Sequence, residues 1–194
     1  MRCLYCYNPE IVLGKGNKTF SETISFLKSR QGLLDSVVFS GGECLSHKNI
    51  VQQIREVKEM GFLVKIDTNG SNTNVLKQLI NEKLIDYVAL DFKATNENFI
   101  KITKSDLFQP FEKSFEILLN HTVPFEIRTT YHSKLISIKK LNEMVEYLDN
   151  HNYRGNYYIQ YYRNYSQTLT VLPHSDNNLE GKINISPSMN IVFR

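Results

Sequence analysis

At 194 residues the chain is long enough to bury a sizeable core, and it reads most simply as one domain, 1–194. Hydrophobic residues at 41% and charged residues at 22% are ordinary for a globular protein, and a net charge of +3 is too small to argue for nucleic acid. No apolar run reaches transmembrane length, and Met1-Arg2 runs straight into a cysteine pair, so neither a membrane span nor a cleavable signal is read here. The three cysteines make no disulfide framework, and a close pair in such a chain reads as a metal or redox site in a reducing cytoplasm.

Along the chain, short β-rich runs alternate with helical periodicity. A helix over 21–29 carries Ile24, Phe26 and Leu27 on one side. A strand over 36–40 ends at Gly41-Gly42, and a helix over 48–60 shows Ile50, Val51, Ile54, Val57 and Met60. A strand over 63–67 ends at Thr68-Asn69-Gly70, followed by a helix over 75–84 and a strand over 87–92. Helix 111–119, strand 125–130, helix 138–148 and strand 157–162 complete the series. Strands separated by helices imply βαβ units and a parallel sheet. A closed (β/α)8 barrel typically needs ~250 residues, so an open, partial barrel fits better. The core then runs over about 1–165, and the tail over about 166–194 changes character. In it 169–172 and 190–193 could form short strands, with Pro173, Asp176, Gly181 and Pro187 marking loops.

Three motifs carry chemistry. Cys3-Leu4-Tyr5-Cys6 places two thiols beside an aromatic, and thiolates suit iron–sulfur clusters and zinc. Alone, such a pair is half a zinc site or a dithiol, but no second CxxC or CxxH completes a zinc site. Ser40-Gly41-Gly42-Glu43 ends a strand, where glycines let a ligand approach the backbone and a carboxylate can hold an ammonium; alone it is a strand-to-helix turn. Asp67-Thr68-Asn69-Gly70 and Asp91-Phe92-Lys93-Ala94 end the next two strands, the ligand face of such barrels; alone they are a turn and a salt bridge. Arg128, inside a β-run, needs a partner, either a ligand carboxylate or an Asp. The five histidines show no metal-ligand spacing and read as surface or turn residues.

Together these motifs resemble the radical S-adenosylmethionine (SAM) enzymes, whose cluster motif is CxxxCxxC with an aromatic before the last cysteine. Cys3 and Cys6 match the second and third cysteines as metal ligands, and Tyr5 matches the aromatic. The resemblance implies a partial (β/α)6 barrel lacking its first strand, the first cysteine falling just ahead of Met1. It implies a [4Fe–4S] cluster with one iron open to SAM. Gly41, Gly42 and Glu43 match the segment that holds the SAM amino group. Asp67 and Asn69 would bond the ribose or methionine end, and Lys93 the carboxylate. Asp67 and Asp91 match positions near a monovalent cation in glycyl-radical activating enzymes. Cys44 stands where proline is usual, either as a small side chain or as a substitute ligand.

The Cys6-Tyr7-Asn8-Pro9 segment, with 26–35 and 38–43, is similar to the activating proteins of anaerobic ribonucleoside-triphosphate reductase over Met1 to about Arg163. That implies hydrogen-atom abstraction from a glycine of the large reductase subunit, with a flavodoxin or ferredoxin-type electron donor, no nucleic acid and no membrane. Other radical SAM activities, on another glycyl-radical enzyme, a small molecule or a nucleobase, remain open, as does a non-catalytic remnant that cannot complete the cluster.

Overall fold

The structure, a computed structural model, describes residues 1–14 and 16–194. In chain order it runs α1 (Pro9–Leu13), α2 (Phe20–Lys28), β1 (Ser36–Phe39), α3 (Ile50–Glu59), β2 (Leu63–Thr68), α4 (Thr73–Asn81) and β3 (Tyr87–Asp91). Then follow α5 (Asn96–Thr103), α6 (Phe108–Leu119), β4 (Phe125–Tyr131), α7 (Ile138–Asn150), β5 (Asn156–Tyr161) and β6 (Asn190–Phe193). The six strands lie side by side in sequence order, and every neighbouring pair is parallel. This is the partial-barrel arrangement expected from the alternating pattern.

The sheet reaches six strands because the tail returns as β6 beside β5. The expected strand at 169–172 is absent. There the Leu169 N–H donates to the Cys6 carbonyl (3.0 Å) and the Thr168 hydroxyl to the Thr170 carbonyl (2.7 Å), so this backbone fastens a loop instead of joining a ladder. Helices α1 and α5 arise outside the expected series.

The period-2 rule sorts each strand into two faces. Val64, Ile66, Val88, Leu90, Ile127, Tyr157 and Ile159 are fully buried in the apolar core with Ile54, Val57, Leu76, Leu79, Phe115 and Leu141 of the helices. Each such aliphatic side chain stabilises the fold by roughly 1.5–3 kcal/mol. The alternate set, Lys65, Asp67, Asp91, Glu126 and Arg128, faces the other side of the sheet, where the charges meet one another. Helix starts follow local chemistry. Thr19 and Glu22 form a reciprocal capping box on α2, and Ser137 caps α7 by accepting the Lys140 N–H at 3.3 Å. Phe26 departs from its expected place: Ile24 and Leu27 are buried, one turn apart, and Phe26 between them projects outward. No helix among the described residues is long and apolar enough to cross a membrane.

His132 corrects another expectation. It is fully buried rather than at the surface, its ring tilted against Tyr162 with centroids 4.5 Å apart. Its Nδ1 accepts the Lys134 N–H (3.1 Å), so Nε2 carries the proton and donates to the Pro173 carbonyl (3.0 Å), tying the tail to β4. Burial pushes the imidazole pKa below its ordinary value. The folded state therefore binds fewer protons than the unfolded state, so this contribution is complete above about pH 6.5 and is lost as pH falls through the folded pKa. Urea unfolding at pH 5, 6 and 7 is expected to show stability rising with pH, with a flatter rise in His132→Gln. Equal slopes in the two proteins would mean that His132 does not set this dependence.

Candidate functional site

The site is built from the loops at the C-terminal ends of β1–β4 and the segment before α1. The Met1–Tyr5 stretch is held by backbone bonds from Arg2 N–H to the Thr103 carbonyl (3.0 Å) and from Leu4 N–H to the Ile102 carbonyl (3.1 Å). The Cys6 N–H closes a turn on the Cys3 carbonyl (3.1 Å). Tyr7 stacks on Tyr162 (5.6 Å), and its hydroxyl accepts the Arg163 N–H (2.6 Å), so the tail buttresses the cysteine turn from the far side.

The structure brings the predicted residues together. Cys3, Tyr5, Cys6, Gly41, Gly42 and Asn69 line one cleft of about 270 Å³, joined by Asp91 and Lys93. Glu43 and Asp67 stand behind this lining, Glu43 under the Gly41-Gly42 turn and Asp67 beneath Arg128. Tyr7 and Asn8, quoted from the sequence only within the Cys6–Pro9 segment, and Thr130 and Gln160, which sequence reasoning did not single out, line the cleft and also a larger neighbouring hollow of about 1110 Å³. Position at a strand end was the available signal for Thr130 and Gln160.

Gly41 and Gly42 have φ of +87° and +47°, the left-handed region that side chains disfavour, so the turn after β1 depends on glycine. It delivers Glu43, whose carboxylate caps the next turn. Oε1 accepts the Thr68 hydroxyl (2.7 Å) and the Leu45 N–H (3.2 Å), and Oε2 accepts the Asn69 N–H (2.7 Å). A carboxylate offers about four acceptor positions, and three are taken, which leaves one. Burial pushes the Glu43 pKa up, against the pull of these hydrogen bonds.

Gly70 explains the end of the Asp-Thr-Asn-Gly motif. Its φ is +72°, and an added Cβ would lie 3.0 Å from Leu90 Cδ1 and 3.3 Å from both the Phe111 Cα and the Ser114 Cβ. Ser114 donates its hydroxyl to the Gly70 carbonyl at 2.8 Å, so α6 packs directly on the glycine backbone. Gly70→Ala is expected to destabilise the fold by about 2–4 kcal/mol, as left-handed strain adds to overpacking. Urea unfolding reads this, and a cost under ~1 kcal/mol would show that α6 can move aside.

Beneath the cleft lies a charged network. Lys93 Nζ is 2.9 Å from Asp91 Oδ2, and Arg128 Nε is 3.0 Å from Asp91 Oδ1. Burial works against the charged Asp91 carboxylate, yet Lys93 and Arg128 outweigh it and hold the pKa below the ordinary carboxylate value. Burial likewise opposes charge on Lys93, and Asp91 overrides it. Lys93 also sits over the Tyr5 ring at 5.9 Å, and the buried Tyr5 hydroxyl has no hydrogen-bond partner.

The thiols divide. Cys3 and Cys6 both line the cleft, whereas Cys44 is buried with Sγ 3.4 Å from the Asp67 carbonyl. Burial pushes both the Cys44 and the Cys3 thiols up, Cys44 to about 12; what sets Cys44 apart is its place outside the cleft lining, against the Asp67 carbonyl. For an iron–sulfur cluster the soft donors Cys3 and Cys6, on one turn and facing one cleft, are the right chemistry. No third Cys, His, Asp or Glu joins them in a metal-sized group among the described residues.

A partial parallel barrel, with a cysteine turn and successive glycine and carboxylate motifs at its strand ends, defines a class of proteins in which cofactors are held at the mouth of the barrel. The chain belongs to the radical SAM superfamily, which it matches over residues 1–148. It is 34% identical over 156 residues to a candidate glycyl-radical enzyme activating enzyme of Methanocaldococcus jannaschii, covering 75% of this chain and 63% of that protein. By structure, Streptococcus suis SuiB bound to S-adenosylmethionine superposes with a TM-score of 0.72 at 14% identity, over 100% of this chain and 47% of SuiB. A domain of pyruvate-formate lyase-activating enzyme from Bacteroides vulgatus gives a TM-score of 0.56 at 15% identity, over 69% of this chain and 84% of that domain.

Proposed function

We propose that the chain activates a glycyl-radical enzyme, and that its substrate is the large subunit of an anaerobic ribonucleoside-triphosphate reductase. The observation that carries this reading is the convergence of the Cys3–Cys6 turn, the Gly41-Gly42 turn, Asn69, Asp91 and Lys93 on one cleft. The 34% identity to the archaeal relative and the Cys6-Tyr7-Asn8-Pro9 segment support the activating branch of the superfamily.

In this reading Cys3 and Cys6 hold a [4Fe–4S] cluster beside the cleft. When bound, a cluster reduced by a flavodoxin or ferredoxin-type protein, together with SAM, would supply the radical chemistry that removes one hydrogen atom from the target glycine. The chain's own residues bind and orient. The free acceptor position of Glu43 and the open backbone of Gly41 and Gly42 suit an ammonium group. Lys93, donating to Asp91 on one side and facing the cleft on the other, suits a carboxylate. Asn69 is positioned for ribose or methionine contacts: its Oδ1 accepts the Ser71 N–H at 2.9 Å, which leaves the amide N–H donors for a ligand. Tyr5 closes the floor of the cleft beside Lys93. The adjoining hollow past Thr130 and Gln160 gives a protein loop a path to the cleft.

The test is anaerobic iron–sulfur reconstitution of residues 1–194 beside a version extended upstream through the family's first cysteine. Iron per chain, 5′-deoxyadenosine and the glycyl-radical signal of the reductase are measured. The extended version is expected to give all three, and residues 1–194 alone, with two thiolates in the cleft, to hold iron poorly. A version that makes deoxyadenosine but leaves the reductase silent would move the substrate elsewhere in the superfamily.

A further inference from the structure

We propose that the guanidinium of Arg128 is the built-in counter-cation of the Asp67–Asp91 pair, standing where a bound alkali ion would otherwise neutralise them. The two carboxylates end neighbouring strands, with Asp91 in register with Arg128 across the β3–β4 ladder. Arg128 reaches both. Nη1 lies 3.2 Å from Asp67 Oδ2, and Nη2 and Nε each lie 3.0 Å from Asp91 Oδ1. The side chain is only 13% exposed, so this is a buried clamp and not a solvated pair. A planar guanidinium fork can bridge two carboxylates in a way that a point charge on a lysine cannot.

Of the two remaining carboxylate oxygens, one is hydrogen-bonded and the other has only a distant cation. Asp91 Oδ2 faces Lys93 Nζ at 2.9 Å. Asp67 Oδ1, buried without a hydrogen bond, faces Lys65 Nζ at 3.8 Å. The hydroxyl of the adjacent Thr68 donates to Glu43. Further down, Lys65 and Arg194 both approach Glu126, at 3.4 and 3.8 Å. Lys65, Lys93 and Arg128 thus face Asp67, Asp91 and Glu126 in direct ion pairs, three charges against three. An alkali ion between Asp67 and Asp91 would meet a guanidinium already in place and no excess of negative charge. Arg128 is therefore a positioning residue. It fixes Asp91, which in turn fixes Lys93. Its bearing on SAM rests on the proposed function, but its replacement of an ion does not.

The experiment is thermal unfolding of the full chain in potassium, sodium or choline chloride at equal ionic strength, without SAM. The wild-type midpoint is expected to be the same in all three salts. Arg128→Gln is expected to unfold at a lower temperature in choline and to recover part of the loss in potassium or sodium. A site with a millimolar affinity would move its midpoint by about 5 °C or more at 0.1 M salt. Arg128→Lys, which keeps the charge, is expected to respond less than Arg128→Gln. A wild-type midpoint that rises in potassium or sodium over choline, or an Arg128→Gln midpoint indifferent to the ion, overturns the proposal. Should Arg128→Gln fail to fold, the wild-type comparison decides alone. Failure of SAM to bind the wild type would count against the proposed function and leave this result standing.

Discussion

Lys93→Met is expected to weaken SAM binding by about 10- to 100-fold, the size of a lost charge-assisted hydrogen bond. Methionine keeps the length and removes the charge. In the folded protein Lys93 donates to Asp91 and lines the cleft beside Cys3 and Tyr5. Its loss leaves the Asp91 carboxylate, and the cleft it lines, with Arg128 as the remaining cation. Stability is expected to fall by about 1–3 kcal/mol, less than for a pair broken outright, since Arg128 still holds Asp91. Calorimetric titration with SAM and urea unfolding of the same protein separate the two effects. Wild-type SAM affinity with reduced stability would assign Lys93 to the support of Asp91 alone.

Glu43→Gln has the second large effect, for a different reason. Both carboxylate oxygens receive protein donors: Thr68 and Leu45 on one, Asn69 on the other. A glutamine amide must point its NH2 at one of these donors, which leaves a buried N–H without an acceptor and costs about 1–3 kcal/mol. The negative charge that would meet the SAM ammonium is also gone, so affinity is expected to drop by about tenfold or more. The backbone around Asn69 should loosen with it, which amide hydrogen exchange at Asn69 and Leu45 would report. Unchanged exchange together with lost affinity would place the whole effect on the ligand.

The depth to which the fold was legible differs from element to element. β2 was readable from apolar residues two apart, β3 from a short continuous apolar run, and both end at a turn motif. Helix α3 was readable from Ile50, Ile54 and Val57 for the same reason at helical period. Phe26 and His132 misled because period and residue type say nothing about what packs overhead. Phe26 points away from Ile24 and Leu27, and His132 is roofed by Pro173 from 41 residues further on.

In the site, the sequence by itself marked the strand ends that carry polar motifs. The Cys3–Cys6 turn, the positive φ of Gly41 and Gly42, the Asn69–Ser71 contact and the Lys93–Asp91 pair are local, whereas Met1–Tyr5 is held by the Thr103 and Ile102 carbonyls and Glu43 by Thr68 and Asn69. Only the tertiary structure decided what those groups face. Arg128 meets Asp91 across 37 residues of chain because the β3–β4 register places them side by side, and Lys65 reaches across β3 to Glu126 over 61. Cys44, adjacent in sequence to Glu43, turns instead to the Asp67 carbonyl. A motif states which side chains are present at a strand end, but pairing between strands is set by the packing of the whole sheet. That packing turns two carboxylates, a guanidinium and a lysine into one balanced site.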